Sequence, residues 1–306
     1  MVGSLTDGQT DQRPSEPVHE LLCRGARVRV RGCKVEVITD PAVVSCPYVR
    51  AVYGIQKVNR KAVRKIVERK IEEYGHFCPH RSLKSDRIVP FGSSEMISTV
   101  MGEILDAAVV VCDGAGTVIT ENPELVQGIG AAMTGLIKTT PIPEVVRRIE
   151  DMGGKVLDPP RIDQVEGVRR AFQEGFRKVA VTVIGLNAKT IPKLRELEKG
   201  VEGAELAIFS TCNTLVPEGH LRYLEMADIV CSSASRLVLK RIGKRALMQM
   251  GIGIPVFALT RLGKRIALRY LEEMKSPFVV SRARMPYVIE EKLPTPSSEN
   301  LGKSEH

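Results

Sequence analysis

From about residue 91 onward, apolar runs alternate with helix-like stretches. The runs at 107–111, 178–184, 205–209, 228–231 and 255–259 are nearly continuous in Val, Ile, Ala and Leu, which predicts strands covered on both faces. Between them lie helix start signals. Gly92-Ser93 can cap a helix through Leu105, and Asn122-Pro123-Glu124 gives an N-cap with Pro at the first helical position, opening a helix to about Leu136. Thr140-Pro141-Ile142-Pro143-Glu144 opens another, closed by Gly153-Gly154 before a short strand at 155–157. Asp163 with Glu166 resembles a capping box, and its helix should bury Val165, Val168 and Phe172. Further helices are predicted at 189–199, 217–226, 236–250 and up to Met274, with 278–280 as an edge strand. This alternation predicts an α/β fold, a mostly parallel three-layer sheet with helices on both faces and right-handed crossovers.

Residues 18–90 follow another pattern. Val28, Val30, Val35 and Val37 alternate with charged residues around Gly32-Cys33, a hairpin signal. Val58, Ala62, Val63, Ile66, Val67 and Ile71 form a 3.6-residue stripe, so the Lys and Arg of 57–70 fall on the wet face of a helix. The expected organisation is a small α+β region at 18–90 and an α/β domain at 91–290. The polar, Pro- and Ser-containing ends at 1–17 and 291–306 are expected to be disordered tails.

Composition narrows the setting. The chain has 306 residues, no Trp and a formal charge of +9. No apolar run approaches ~18 residues, which argues against membrane insertion, and residues 1–17 lack the apolar stretch of a secretory signal. Seven scattered cysteines, an odd number, predict reduced thiols in a cytoplasm rather than a disulfide framework. Abundant Lys, Arg and Glu with scarce Asn and Gln fit a thermophile. The positive charge gathers at 24–34, 57–70, 236–245 and 261–269. Much of it is a solvated helix surface. Without a recognisable nucleic-acid module, an acidic protein is the better candidate partner.

The candidate chemistry sits at strand ends. Cys112, Cys212 and Cys231 each stand where an apolar run gives way to a polar turn. If those runs are parallel neighbours, the thiols share the carboxyl edge of one sheet, where open α/β sheets bind ligands. The candidate ligand-binding residues are Asp113, Gly114, Gly116, Thr211, Cys212, Asn213, Ser232, Ser233 and Ser235. The helix expected after Ser235 would offer free N–H groups to an anion. Cys112-Asp113-Gly114-Ala115-Gly116 is a poor dinucleotide fingerprint, because Ile119 stands at the third glycine position. Val111 replaces the nucleophile of a phosphatase-like aspartyl site, so a tight hairpin turn is the plainer reading. Cys46, Cys78, Cys112, Cys212 and Cys231 are candidate thiolate ligands for zinc or an iron–sulfur cluster. No Cys-x-x-Cys occurs, so the fold must assemble any such site, and buried structural cysteine is the simpler role. No Ser-His-Asp, His-Glu-x-x-His or P-loop spacing occurs, and the question of enzymatic activity stays open.

Several phrases carry a family resemblance: Ile88-Val89-Pro90-Phe91-Gly92-Ser93-Ser94-Glu95-Met96, Cys112 to Ile119, Asn122 to Gly130, Asp163 to Val168, and Cys46-Pro47-Tyr48-Val49-Arg50. Over about residues 20–285 the chain resembles the methanogenesis marker protein 8 family of methane-producing archaea, which has no established activity. The resemblance implies an anaerobic, cytoplasmic accessory protein of methanogenesis, assembling, activating or handling cofactors for methyl-coenzyme M reductase. The alternatives are an enzyme acting on an anionic coenzyme or its precursor and, less favoured, a nucleic-acid-binding regulator. The family carries over no catalytic residue.

Overall fold

The computed structural model describes residues 16–297. The chain begins with β1 (Val18–Cys23), β2 (Ala26–Arg31), β3 (Lys34–Val37) and β4 (Val43–Ser45), then α1 (Pro47–Tyr53) and α2 (Arg60–Tyr74). Next come α3 (Ser93–Val100), β5 (Ala107–Cys112), β6 (Gly116–Thr120), α4 (Pro123–Gly130), β7 (Leu136–Thr139), α5 (Pro143–Asp151), β8 (Lys155–Val156) and α6 (Gln164–Gln173). The series continues through β9 (Lys178–Ile184), α7 (Ile191–Lys199), β10 (Glu205–Thr211), α8 (Leu221–Leu224), β11 (Ile229–Cys231) and β12 (Met248–Met250). It closes with β13 (Val256–Ala258), α9 (Arg261–Glu272) and β14 (Thr295–Pro296).

The larger sheet has eight strands in the order β12-β13-β11-β10-β9-β5-β6-β8. Its centre is parallel, with β5 on β9, β9 on β10 and β10 on β11. Both flanks are antiparallel: β5 with β6 and β6 with β8 on one side, β11 with β13 and β13 with β12 on the other. The fold is therefore mixed α/β, and the expected mostly parallel sheet is corrected. A parallel pair needs a crossover of a dozen or more residues, and the links β5–β6 and β12–β13 are too short for one.

Side chains alternate between two apolar layers, as strand geometry requires. Ala108, Val110, Ala207 and Phe209 join one cluster with residues of α3, α4, α5 and α9. Val109, Val181, Leu206 and Ile208 join the other with residues of α6, α7 and α8. Two predicted caps are present: Asn122 Oδ1 accepts from the Glu124 and Leu125 amides, and Asp163 Oδ1 from the Glu166 amide. The helix from Asp163 buries Val168 and Phe172, with Val165 half-buried.

Elsewhere the local pattern misled. The expected helix to Leu136 stops at Gly130, and Leu136 opens β7. The expected helix 236–250 shrinks to a π-turn at Val238–Ile242, a short 3-10 turn and strand β12, whose edge is paired by β13. Residues 278–280 form no strand, and Val279 and Val280 are exposed.

The smaller sheet has the order β3-β2-β1-β7. β7 thus leaves the stretch expected to build the α/β domain and pairs with β1. The expected tail also needs correction over 291–297. Leu293 is buried, β14 pairs with β4, and the Ser297 amide donates to Ala42 O at 2.9 Å. Residues 1–15 and 298–306, the rest of the expected tails, lie outside the described residues. Cys33, in the β2–β3 turn, and Cys78, after α2, form a disulfide, against the expectation of seven free thiols.

Candidate functional site

The chain between α2 and α3 is pinned to the larger sheet by a buried charge cluster. Asp113, just past β5, accepts from Arg81 Nε at 2.9 Å and from the Phe77 amide at 2.5 Å, and lies 3.4 Å from His76 Nδ1. Arg81 also donates to the Gly128 and Ile129 carbonyls at 3.1 and 3.0 Å, satisfying the carboxyl end of α4. Burial opposes the Asp113 charge, but Arg81 and His76 outweigh it and hold its carboxyl far below the usual carboxylate range. The same burial, helped by the Arg81 charge, lowers His76 to about 4, so its ring is neutral at pH 7. Gly128 permits the arrangement, because a Cβ there would lie 1.9 Å from Leu83 O. This glycine serves close packing of α4 on the loop at Leu83 and Lys84.

A cavity of about 470 Å³ opens where the smaller sheet, α2 and the start of α3 meet the carboxyl ends of β10 and β11. Much of its wall is apolar, including Leu22, Val43, Met96, Phe209, Ile229 and Val256. Cys46, Cys212 and Cys231 also line it, with Thr211, Ser233 and Thr134. Two cations reach it from the N-terminal region, Arg24 and Lys70.

Lys70 is the unexpected one. It follows Val63, Ile66 and Val67 at helical spacing, so α2 carries it on the buried face at 4 % exposure. Its ammonium donates to Ala132 O at 2.6 Å and makes no ion pair among the described residues. Burial, the main cause, lowers it from 10.5 to about 8. A lysine inside an apolar helical stripe was the signal that sequence reasoning passed over.

Arg24 occupies an equally costly position. With Gly25 it forms the two-residue β1–β2 turn, and both have positive φ (53° and 80°). Such a turn favours Asn-Gly, and a long side chain in the left-handed region is disfavoured. Its Nε is buried without a hydrogen-bond partner among the described residues, while the guanidinium carbon lies 5.3 Å from the Tyr48 ring centroid. Among the described residues, seven non-glycine positions have positive φ, and five of them (Arg24, Phe91, Ala132, Cys212 and Ser233) line this cavity. Backbone strain of this kind concentrates at ligand sites.

Glu95 is the carboxylate in the lining. It accepts from the Val89 amide at 2.8 Å, Ser94 Oγ at 2.9 Å and Gln127 Nε2 at 3.3 Å, and bonds neither cation. Two of the thiols are not activated: burial raises both Cys212 and Cys231 above their ordinary value. Burial also pushes Tyr53, another lining residue, up to about 12.

The candidate residues therefore divide. Thr211, Cys212 and Ser233 line the cavity. Asn213 stands behind them, its amide donating to Ser210 O and Cys231 O and its backbone N–H to Ser233 Oγ. Ser232 is buried with its hydroxyl directed to Ser233 O, and Ser235 Oγ accepts from the Val238 amide. The five-residue π-turn after Ser235 replaces the helix expected to offer an anion site. Asp113, Gly114 and Gly116 lie apart from the cavity, in the buried charge cluster and the β5–β6 turn. Of the candidate metal ligands, Cys46, Cys212 and Cys231 line the cavity, Cys78 is bonded to Cys33, and Cys112 is buried among apolar neighbours. Burial raises the Cys112 thiol far above its ordinary range. No group of three or more His, Cys, Asp or Glu able to hold a metal ion occurs among the described residues.

The fold and site define a mixed α/β protein whose N-terminal sheet covers a cavity lined by cations and thiols at the carboxyl edge of the main sheet. The chain belongs to a family described as an uncharacterised protein conserved in archaea (DUF2099), whose model matches residues 19–272. It is 34% identical over 277 residues to an uncharacterised protein, MJ0054, of Methanocaldococcus jannaschii, covering 89% of this chain and 95% of that one. No solved structure matches. Among the described residues no helix is long and apolar enough to cross a membrane.

Proposed function

We propose that this protein binds a small anionic molecule in the cavity between its two sheets, and does so as a cytoplasmic accessory protein of methanogenesis. Lys70 carries the binding half of the reading. An ammonium buried with one carbonyl partner and no carboxylate is a costly arrangement, and an anion seated beside it and Arg24 would offset that cost. Thr211, Ser233, Cys46, Cys212 and Cys231 would then meet the remainder of the ligand. What supports the metabolic half is the resemblance to methanogenesis marker protein 8, together with a relative from Methanocaldococcus jannaschii. On this reading the ligand is a coenzyme or precursor handled for methyl-coenzyme M reductase, and the exposed basic face of α2 meets an acidic partner. A second reading, an enzyme acting on that coenzyme, is favoured by the lowered Lys70 beside the bound molecule.

Thermal unfolding with inorganic phosphate, sulfate or oxalate tests the binding half. The midpoint should rise with anion concentration, as mass action requires, and the rise should vanish in Arg24→Met and Lys70→Met. A midpoint indifferent to all three anions would remove this reading. For the metabolic half, anoxic affinity purification from a methane-producing archaeon should recover the reductase or its assembly proteins. Recovery of none of them would count against it.

A further inference from the structure

Besides hydroxyls, the cavity lining offers a bound molecule the thiols of Cys46, Cys212 and Cys231 and the amine of Lys70. The Cys212 and Cys231 thiols are held protonated by burial, and a neutral thiol is a poor nucleophile. The same burial acts in the opposite sense on an amine, because the charged form is the one it penalises. Lys70 accordingly releases its proton near pH 8, which is how buried lysines become reactive toward carbonyl groups. Arg24 has another use, since its planar fork of donors suits a carboxylate or phosphate.

We propose that Lys70 captures an anionic carbonyl compound, a 2-oxo acid or an aldehyde bearing a carboxylate or phosphate, as an imine on its Nζ. This rests on the cavity being an anion site and names the class of molecule it takes. The neutral amine keeps one N–H on Ala132 O, the partner it has now at 2.6 Å, and retains a lone pair for the carbonyl carbon. As the C–N bond forms, the carbonyl π pair moves to oxygen, which takes a proton from nitrogen to give a carbinolamine. Loss of that oxygen with the second N–H proton, as water, leaves C=N. No oxidant or reductant takes part. Thr134 Oγ1, buried in the same lining without a hydrogen-bond partner among the described residues, is available to pass the proton between nitrogen and oxygen. Met96, Phe209, Ile229 and Val256 restrict water around the product. Arg24, whose buried Nε makes no hydrogen bond among the described residues, holds the anionic end.

The test traps the imine. The full chain is incubated with glyoxylate or pyruvate and sodium cyanoborohydride, and the labelled lysine is located by peptide mass mapping of the wild-type protein. Lys70 should be labelled ahead of the exposed lysines, at a rate rising up to about pH 8 and then levelling. Added oxalate should suppress labelling at Lys70 and leave surface labelling unchanged. In Lys70→Arg the adduct should be lost while labelling of the exposed lysines persists. Labelling confined to exposed lysines, or no adduct in a protein that phosphate still protects, would overturn covalent capture and leave the anion site standing. Loss of phosphate protection in the wild-type protein would instead remove the site itself.

Discussion

Arg81 and Lys70 are both buried cations of the N-terminal region, and their surroundings are opposite. Arg81 has a carboxylate at 2.9 Å and two helix carbonyls, so its charge is answered within the chain. Lys70 has one carbonyl, a cavity and, among the described residues, no carboxylate partner. The first arrangement looks after itself: it joins the loop after α2 to β5 and α4 with partners drawn from the chain alone. The second is left without a counter-charge among the described residues. A buried charge is costly unless it is paired, so the pairing partner tells structure from function. Asp113, the residue of the β5–β6 turn with the most obvious chemistry, belongs to the structural site.

The largest effect should come from breaking the answered site. Asp113→Ala leaves Arg81 buried without its counter-ion, and removing one partner of a buried pair costs about 3–5 kcal/mol. Denaturant unfolding measures it. Replacing both partners with apolar residues, Asp113→Leu with Arg81→Met, should recover a good part of the loss. A single-variant loss under ~1 kcal/mol, the scale of an exposed pair, would erase the contrast between the two cations.

Much of this contrast was hidden from the sequence. The parallel centre was legible, because β5, β9, β10 and β11 are continuous apolar runs, and the caps at Asn122 and Asp163 announced their helices. Cys212 and Cys231 were legible as edge residues for the same reason. Cys112 was not, since its side chain joins the apolar layer with Val110 while the turn after it folds back into β6. Local periodicity at β12 suggests helix, because pairing with β13 is a long-range fact that it does not carry. Lys70 was visible in principle, sitting seven residues after Val63 on the apolar stripe. Counting it among the basic residues of a wet face concealed it. The Arg24-Gly25 turn was similarly open to reading, as a hairpin turn with an unsuitable first residue.

The unanswered site should reveal itself through pH. In the unfolded chain Lys70 takes up its proton with the ordinary value of 10.5, and in the folded chain with about 8. Between those values the unfolded state holds the proton and the folded state does not, so stability rises with pH across that window. Below pH 8 the penalty of the buried charge is fully present, and that separation of values corresponds to about 3 kcal/mol. Lys70→Met removes it. In anion-free buffer at pH 7 the variant should therefore be more stable than the wild type, and the difference should shrink toward pH 10.5. A variant less stable than wild type at pH 7 would mean that Lys70 is already answered.

The smallest effect on stability, and the sharpest control, comes from cations of the same helix that point the other way. Arg64 and Lys65 lie on the exposed side of α2, and neither takes part in an ion pair among the described residues. Arg69 is a poorer probe, because it bonds Glu73 and lies 5.5 Å from the Tyr53 ring centroid. Reversing charge at Arg64 and Lys65 should move folding stability by no more than ~0.5 kcal/mol, as for surface changes away from packing. Anion protection should also persist, since the cavity side of the helix is untouched. If the basic face docks an acidic partner, the same reversal should abolish its co-purification at unchanged melting temperature. Unchanged recovery would assign that face to solvent and leave Lys70 as the functional cation of α2.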